Sequence, residues 1–275
     1  MAIRTTVETT YAPTPPTRTR SAYARNLSAL AAAQKPPRGT AAYSRFVNRP
    51  AARRVAAAGA VIGLTPNAAT ALSAVLSASG LALLALVEPS WALGLAVSCL
   101  LALGYVMDSV DGQLARLAGN GSLAGEWLDH TVDLVKTCLL HLAVLVSCYR
   151  FAPLGAGRDA WLGEAVLLLP MTFLVVDLTY YFSIVTLPLL RRQAAPEGRP
   201  GPALPAAAAA PESRWRAWLL LPLDYGVVCW TFLLLARPPA FVAAYGLMVV
   251  ANAALLALGC RKWWAELRAL DARGV

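Results

Sequence analysis

The sequence predicts an all-α polytopic membrane protein, a six-transmembrane-helix bundle preceded by an amphipathic helix lying in the membrane interface. Three observations lead there. Of 275 residues, 58% are hydrophobic and only 14% charged, with a mean hydropathy of +0.55, which is too apolar and too charge-poor for a soluble domain of this length. Six apolar stretches, near residues 68–87, 91–115, 123–149, 161–190, 217–236 and 241–260, each provide the roughly 20 residues that a helix needs to cross the hydrocarbon layer. Sorted by that scheme, twenty of the 24 Lys and Arg lie on the side of the two termini, Lys136 lies within a span, and only Arg150, Arg158 and Arg237 lie on the other side. Such a bias is the positive-inside pattern. It places both termini in the cytoplasm and accounts for the +9 net charge without a nucleic-acid partner, and it also suits anionic lipid headgroups.

The elements follow in order. Residues 1–40 are rich in Pro, Thr, Ser and Arg and lack the apolar run of a secretory signal, so they read as a disordered cytoplasmic tail. The segment 41–64, AAYSRFVNRPAARRVAAAGAVIGL, interleaves four arginines with Phe46, Val47, Val55 and alanines. It suits a helix in the cytoplasmic interface, the plainer alternative being a solvated basic segment. Residues 41–265 form the membrane domain, interrupted at 194–213 by a Pro and Ala rich stretch that reads as a flexible cytoplasmic loop. Trp263 and Trp264, behind Arg261 and Lys262, suit an interfacial anchor, and 266–275 reads as a cytoplasmic tail. The five cysteines lie in or beside apolar segments without a CxxC pair, which points to packing.

Within the second and third apolar stretches stand Asp108, Asp111, Asp129 and Asp133. One Asp near the middle of a spanning helix costs roughly 2.5–3.5 kcal/mol on insertion scales, so four of them need a compensating partner. Residues three, four and seven apart share a helix face, so Asp108, Asp111, Gly112 and Ala115 form one stripe, and Gly125, Asp129 and Asp133 form another. Leu117 to Ala124, containing Gly119, Asn120, Gly121 and Ser122, is short enough to force an antiparallel hairpin that lets the stripes face each other. Carboxylates suit hard divalent cations, Mg²⁺ leaves positions for water and phosphate, and four Asp suffice for two ions. The small residues Gly112, Ala115 and Gly125 admit a large ligand to the helix backbone, or alternatively permit close helix packing. Arg116 either pairs with a phosphate or marks the membrane edge.

These residues resemble the signature of the CDP-alcohol phosphatidyltransferase family, DxxDGxxAR, eight residues, then GxxxDxxxD, matched at every fixed position by Asp108, Asp111, Gly112, Ala115, Arg116, Gly125, Asp129 and Asp133. GLTPNAAT, residues 63–70, is similar to the family's entry to its first span. The resemblance implies transfer of a phosphoalcohol group from a CDP-linked donor, CDP-diacylglycerol above all, to an acceptor hydroxyl, with release of CMP on the cytoplasmic side of a bacterial membrane. It implies Asp108, Asp111 and Asp129 as ligands of Mg²⁺ or Mn²⁺, with two ions bound, and Asp133 as a further ligand or the base. Gly112, Ala115, Arg116 and Gly125 would border the nucleotide, with Asn67 and Thr70 helping to seat it. A homodimer is also implied.

Arg49 and Lys136 are candidate acceptor contacts, against surface charge for the former and neutralisation of a buried Asp for the latter. His130, His141, Asp177 and Asp224 sit in the spans without an assigned role, and hydrogen bonding between helices is the plain reading. Two other functions compete within or beside this scheme. A CDP-choline or CDP-ethanolamine type phosphotransferase with diacylglycerol as acceptor would carry the same signature. A cation transporter should spread its acids through the membrane depth or repeat them in two halves, whereas these cluster at one hairpin. An inactive scaffold fits poorly with eight intact signature positions.

Overall fold

The computed structural model describes residues 16–34, 39–119, 121–151, 160–194 and 214–272, and among these it is helical without a strand. Five helices are long and apolar enough to cross a membrane. The first, α3 (Pro66–Leu86), begins where the Thr65 side chain accepts a bond from the Ala68 amide at 3.2 Å and Pro66 fills the first turn, a donor-free position suited to proline. Its buried face is made of small residues, Ala69, Thr70, Ser73, Ser77 and Gly80, before Leu81 and Leu84 close it at the far end. That face lets α4 (Trp91–Ala118) approach closely, and Ser73 donates to the Gly104 carbonyl at 2.8 Å. A Cβ on Gly104 would meet Ser77 Oγ at 2.5 Å, so the contact tolerates no side chain there.

Helix α4 ends on Gly119 in the left-handed conformation (φ 66°), and α5 (Leu123–Phe151) starts where Ser122 Oγ accepts from the Gly125 amide at 3.0 Å. The expected hairpin therefore forms through a glycine stop and a serine start. Helix α6 (Ala160–Gln193) returns beside α5, registered by His141 against Asp177 and by Tyr181 donating to the His130 carbonyl.

The interval 217–236, expected as one spanning helix, is broken. It consists of α7 (Arg214–Leu219), a 3₁₀ turn at Leu221–Leu223, α8 (Tyr225–Thr231) and a 3₁₀ turn at Phe232–Leu234. Pro222 interrupts the ladder of amide donors, and Asp224 restarts the helix by accepting from the Gly226 amide at 3.2 Å. The segment still travels the bundle. It runs antiparallel to α4, from Tyr105, whose ring meets Tyr225 at 5.3 Å, to Gly94, where a Cβ would meet the Phe232 carbonyl at 2.6 Å. Then α9 (Pro238–Asp271) returns, Asn252 bonding the Pro222 carbonyl at 2.7 Å and Glu266 receiving both ends of the Arg191 fork at 2.7 and 2.9 Å. Among the described residues, five long apolar helices make up the bundle, and this broken segment stands where a sixth spanning helix was expected.

Two expectations at the chain ends need correction. Within 1–40, residues Pro16–Ala32 form α1, an ordered helix rather than a disordered tail. Tyr23, Leu27 and Leu30, at helical spacing, pack into a cluster with Ala52, Ala56, Val110 and Leu114, and Leu30 is fully buried. At the other end α9 continues through residues 266–271, because Arg191 fastens Glu266 to α6. The loop expected at 194–213 lies, past Ala194, outside the described residues. The interfacial segment is helical, as a π turn at Ser44–Asn48 leading into α2 (Arg49–Val61). It buries Ala52, Ala56 and Ala57 while Phe46, Val47 and Val55 remain exposed.

Candidate metal centre and adjoining cavities

Helices α4 and α5 bring three of the four signature acids together. Asp108, Asp129 and Asp133 each present an oxygen such that the three lie within 4.8 Å of one another, the span that one cation bridges. Asp111 stands outside this trio, though it lines the same cavity as Asp108 and Asp129. Its carboxylate accepts from Thr70 Oγ1 at 2.7 Å and from the Gly112 amide, and the residue is buried. Thr70, expected at the nucleotide, is thus found behind Asp111, itself bonded to the Pro66 carbonyl at 3.2 Å.

Lys136 supplies the positive charge inside the protein. It pairs with Asp108 and, at 2.7 Å, with Asp133, and it reaches Ser73 Oγ at 3.2 Å. The sequence left Lys136 between neutralising an acid and contacting the acceptor, and the structure gives the first arrangement. Lys136 thus pairs with two of the acids, and carboxylate oxygens gathered this closely are the donor set that a hard cation takes.

Beside the acids lies a cavity of about 180 Å³, walled by Asp108, Asp111, Asp129, Gly112, Arg116 and Arg49, with Ser109, Gln113 and Gln34 completing it. Its chemistry is mixed: three carboxylates and two guanidinium groups line the same space. Arg116 Nε is buried with no hydrogen-bond partner, a donor that an anionic ligand would satisfy. A Cβ placed on Gly112 would meet only the flexible tip of Arg116, at 3.4 Å, so the backbone there is open to the cavity. At Gly125 a Cβ would meet Ser122 Oγ at 3.0 Å and Asn67 Oδ1 at 3.7 Å, which puts exposed Asn67 and the start of α5 side by side. Ala115 is half-buried on the same α4 stripe.

A second cavity, of about 210 Å³, is lined by Ser44, Arg49, Tyr105, Tyr180, Leu223 and Asp224, among others. Arg49 lines both cavities. Its position is fixed by the residue before it. Asn48 is buried and donates to Ser109 Oγ at 2.6 Å and to the Tyr105 carbonyl at 3.4 Å, riveting the start of α2 to α4. Asp224 is a cap rather than a free carboxylate, since Ser44 N also donates to it at 2.7 Å.

Some wall residues were missed in the sequence. Gln113 is fully buried inside the signature itself, donating to the Arg49 carbonyl at 3.3 Å; a long amide near the end of an apolar span was the available signal. Gln34 gave none, because it lies in a stretch read as tail. His141 also has a definite place, buried between Tyr245 OH at 2.6 Å and Asp177 at 2.9 Å.

Compared with known proteins, residues 63–259 match the family model described as CDP-alcohol phosphatidyltransferase. No curated protein matches the chain. Among solved structures it is similar to the phosphatidylinositol phosphate synthase PgsA1 of Mycobacterium tuberculosis with CDP-DAG bound, at 20% identity and a TM-score of 0.48, covering 79% of this chain and 94% of that one.

Proposed function

Given that the chain belongs to the CDP-alcohol phosphatidyltransferase family and is an enzyme of CDP-alcohol phosphotransfer in phospholipid synthesis, we propose that it moves a phosphatidyl group from CDP-diacylglycerol to the hydroxyl of a soluble polar alcohol in a divalent-cation-dependent reaction. The observation that carries this reading is the convergence of Asp108, Asp129 and Asp133 within 4.8 Å beside a cavity that also holds Arg49 and Arg116. The donor follows the bacterial members that the signature resembles.

The residues present fit a hard cation: the donors are carboxylate oxygens, three of them converge within 4.8 Å, and the buried Arg116 Nε has no hydrogen-bond partner beside them. Asp108, Asp129 and Asp133 would hold it, with Asp111 as the fourth signature ligand. Mg²⁺ or Mn²⁺, two ions for the four acids, would supply positive charge to the donor pyrophosphate. Arg116 and Arg49 neutralise phosphate oxygens in the same cavity, and open backbone at Gly112 lets the diphosphate lie against α4. Thr70 holds Asp111, and Asn67, Gly125 and Ala115 edge the nucleotide.

Asp133, one turn further along α5 than Asp129, takes the proton of the acceptor hydroxyl. As that oxygen bonds to the phosphatidyl phosphorus, the bond from phosphorus to the CMP oxygen breaks and CMP leaves with the electron pair. Lys136 stays on Asp133 and Asp108, keeping the base oriented and standing at the acceptor side. Arg49, shared by both cavities, is the second acceptor contact, and the Tyr105 and Tyr180 cavity is where a polar alcohol reaches the centre. The acid end and both termini face the cytoplasm of a bacterial cell, by the charge bias, and the working unit is a homodimer within the bilayer.

The test is CMP release by the purified protein in lipid with Mg²⁺ or Mn²⁺, against a panel of CDP donors and acceptors. Turnover with CDP-diacylglycerol and a soluble alcohol is expected. Turnover only with a CDP-amino-alcohol and diacylglycerol would reassign the direction.

A further inference from the structure

The acidic cavity has a wall that belongs to no part of the family match, which begins at residue 63. That wall is Arg49, at the start of α2, and Gln34, delivered by the end of α1. We propose that α1 and Gln34 form a cap on the donor site and that the Gln34 carboxamide reads the uncharged nucleoside portion of a pyrimidine nucleotide.

The first support is anchorage. Leu30 is fully buried, Tyr23 and Leu27 join it on one face, and Asn26 Nδ2 donates to the Ala57 carbonyl at 3.4 Å. Helix α1 is therefore docked on α2 and α4, and the position of Gln34 is inherited from that docking.

The second support is the link into the site. Gln34 Nε2 donates to the Leu30 carbonyl at 2.6 Å and to Gln113 Oε1 at 3.3 Å, and Gln113 in turn donates to the Arg49 carbonyl at 3.3 Å. A continuous set of hydrogen bonds thus joins the end of α1 to the arginine shared by the two cavities.

The third support is the division of chemistry on the wall. The carboxylates match a cation and the guanidiniums match phosphates, which leaves the charged part of a CDP-alcohol fully provided for. Gln34 and Gln113 bring a different chemistry, neutral amides: with both Gln34 N–H donors engaged, its Oε1 is left to accept, and Gln113 has a second N–H to donate. A ribose hydroxyl or the amine and carbonyl edge of a pyrimidine is the portion of the donor that such groups complement. The inference rests on the donor being a CDP-alcohol, and it goes beyond that by assigning nucleoside selectivity to a segment ahead of the family core.

The test is titration of the full-length protein in detergent, with Mg²⁺, by CDP and separately by inorganic pyrophosphate, for the wild type, Gln34→Ala and Leu30→Asp. Gln34→Ala should weaken CDP about five- to tenfold, the effect of one or two neutral hydrogen bonds, and leave pyrophosphate unchanged. Leu30→Asp, which undocks α1, should weaken CDP at least as much. Wild-type CDP affinity in Gln34→Ala, or equal weakening of CDP and pyrophosphate, overturns the assignment. A wild-type protein that binds pyrophosphate but shows no preference for CDP overturns it too, while one that binds neither ligand sinks the donor reading beneath it.

Discussion

Two polar clusters lie within the helical bundle, and they are built on opposite plans. In the one formed by His141, Asp177 and Tyr245, both imidazole nitrogens have partners, at 2.6 and 2.9 Å, and aromatic rings from Phe173 and Tyr245 enclose the histidine. In the other, Lys136 pairs with Asp108 and Asp133, oxygens of Asp108, Asp129 and Asp133 lie within 4.8 Å of one another, and the group borders a cavity with two arginines. The first cluster satisfies itself and fastens α5, α6 and α9. The second gathers like-charged oxygens at a cavity, and that convergence is the chemical reason to regard it as a site. Burial of polar groups alone does not distinguish structure from function; convergence of one kind of ligand atom on a cavity does.

Substitutions in the two clusters should therefore separate activity from stability. The largest effect is expected for Asp129→Asn, which removes a charge from the cation-binding trio. CMP release should fall at least a thousandfold, the several kcal/mol that a bound cation contributes to a developing charge, while the melting temperature stays near wild type. Full turnover in that variant would erase the contrast. Arg116→Lys keeps the charge but loses the planar fork, and should raise KM for the donor about tenfold with kcat nearly unchanged, read from initial rates against donor concentration. Arg49→Ala touches both cavities, so KM for donor and for acceptor should each rise about fivefold, and a change confined to one substrate would mean that the cavities work independently. His141→Leu should do the reverse of these three. It removes the partner of Asp177 and of Tyr245 and should cost about 1–3 kcal/mol of stability, read as a lowered melting temperature in detergent, while kcat measured well below that temperature changes less than twofold.

The same contrast explains what the sequence disclosed. The acidic stripes were legible because helical spacing and the Gly119 to Ser122 turn leave the two helices one way to face each other, and the structure places Asp108, Asp129 and Asp133 together. The side chain of Asp111 was not legible, since its bond to Thr70 depends on how closely α3 approaches α4. The break within 217–236 was visible in principle, as Pro222 and Asp224 inside an apolar run, but hydropathy averaging hides a local interruption. Helix α1 escaped notice because its apolar face is narrow, only Tyr23, Leu27 and Leu30, and is set among arginines and serines. Its order comes from docking onto α2 and α4, a tertiary effect that local composition does not announce. Gln34 was hidden for the same reason, and His141 could be placed only once its partners on α6 and α9 were known.

The central claim is that oxygens of Asp108, Asp129 and Asp133 bind a divalent cation needed for phosphotransfer. It is tested most directly by titrating Mn²⁺ into chelator-stripped protein, following free Mn²⁺ by its electron spin resonance signal and CMP release in the same samples. The account predicts that turnover is absent after stripping and returns in step with Mn²⁺ binding, and that Asp129→Asn loses both. Undiminished turnover in the stripped protein, or wild-type Mn²⁺ binding by Asp129→Asn, would contradict it.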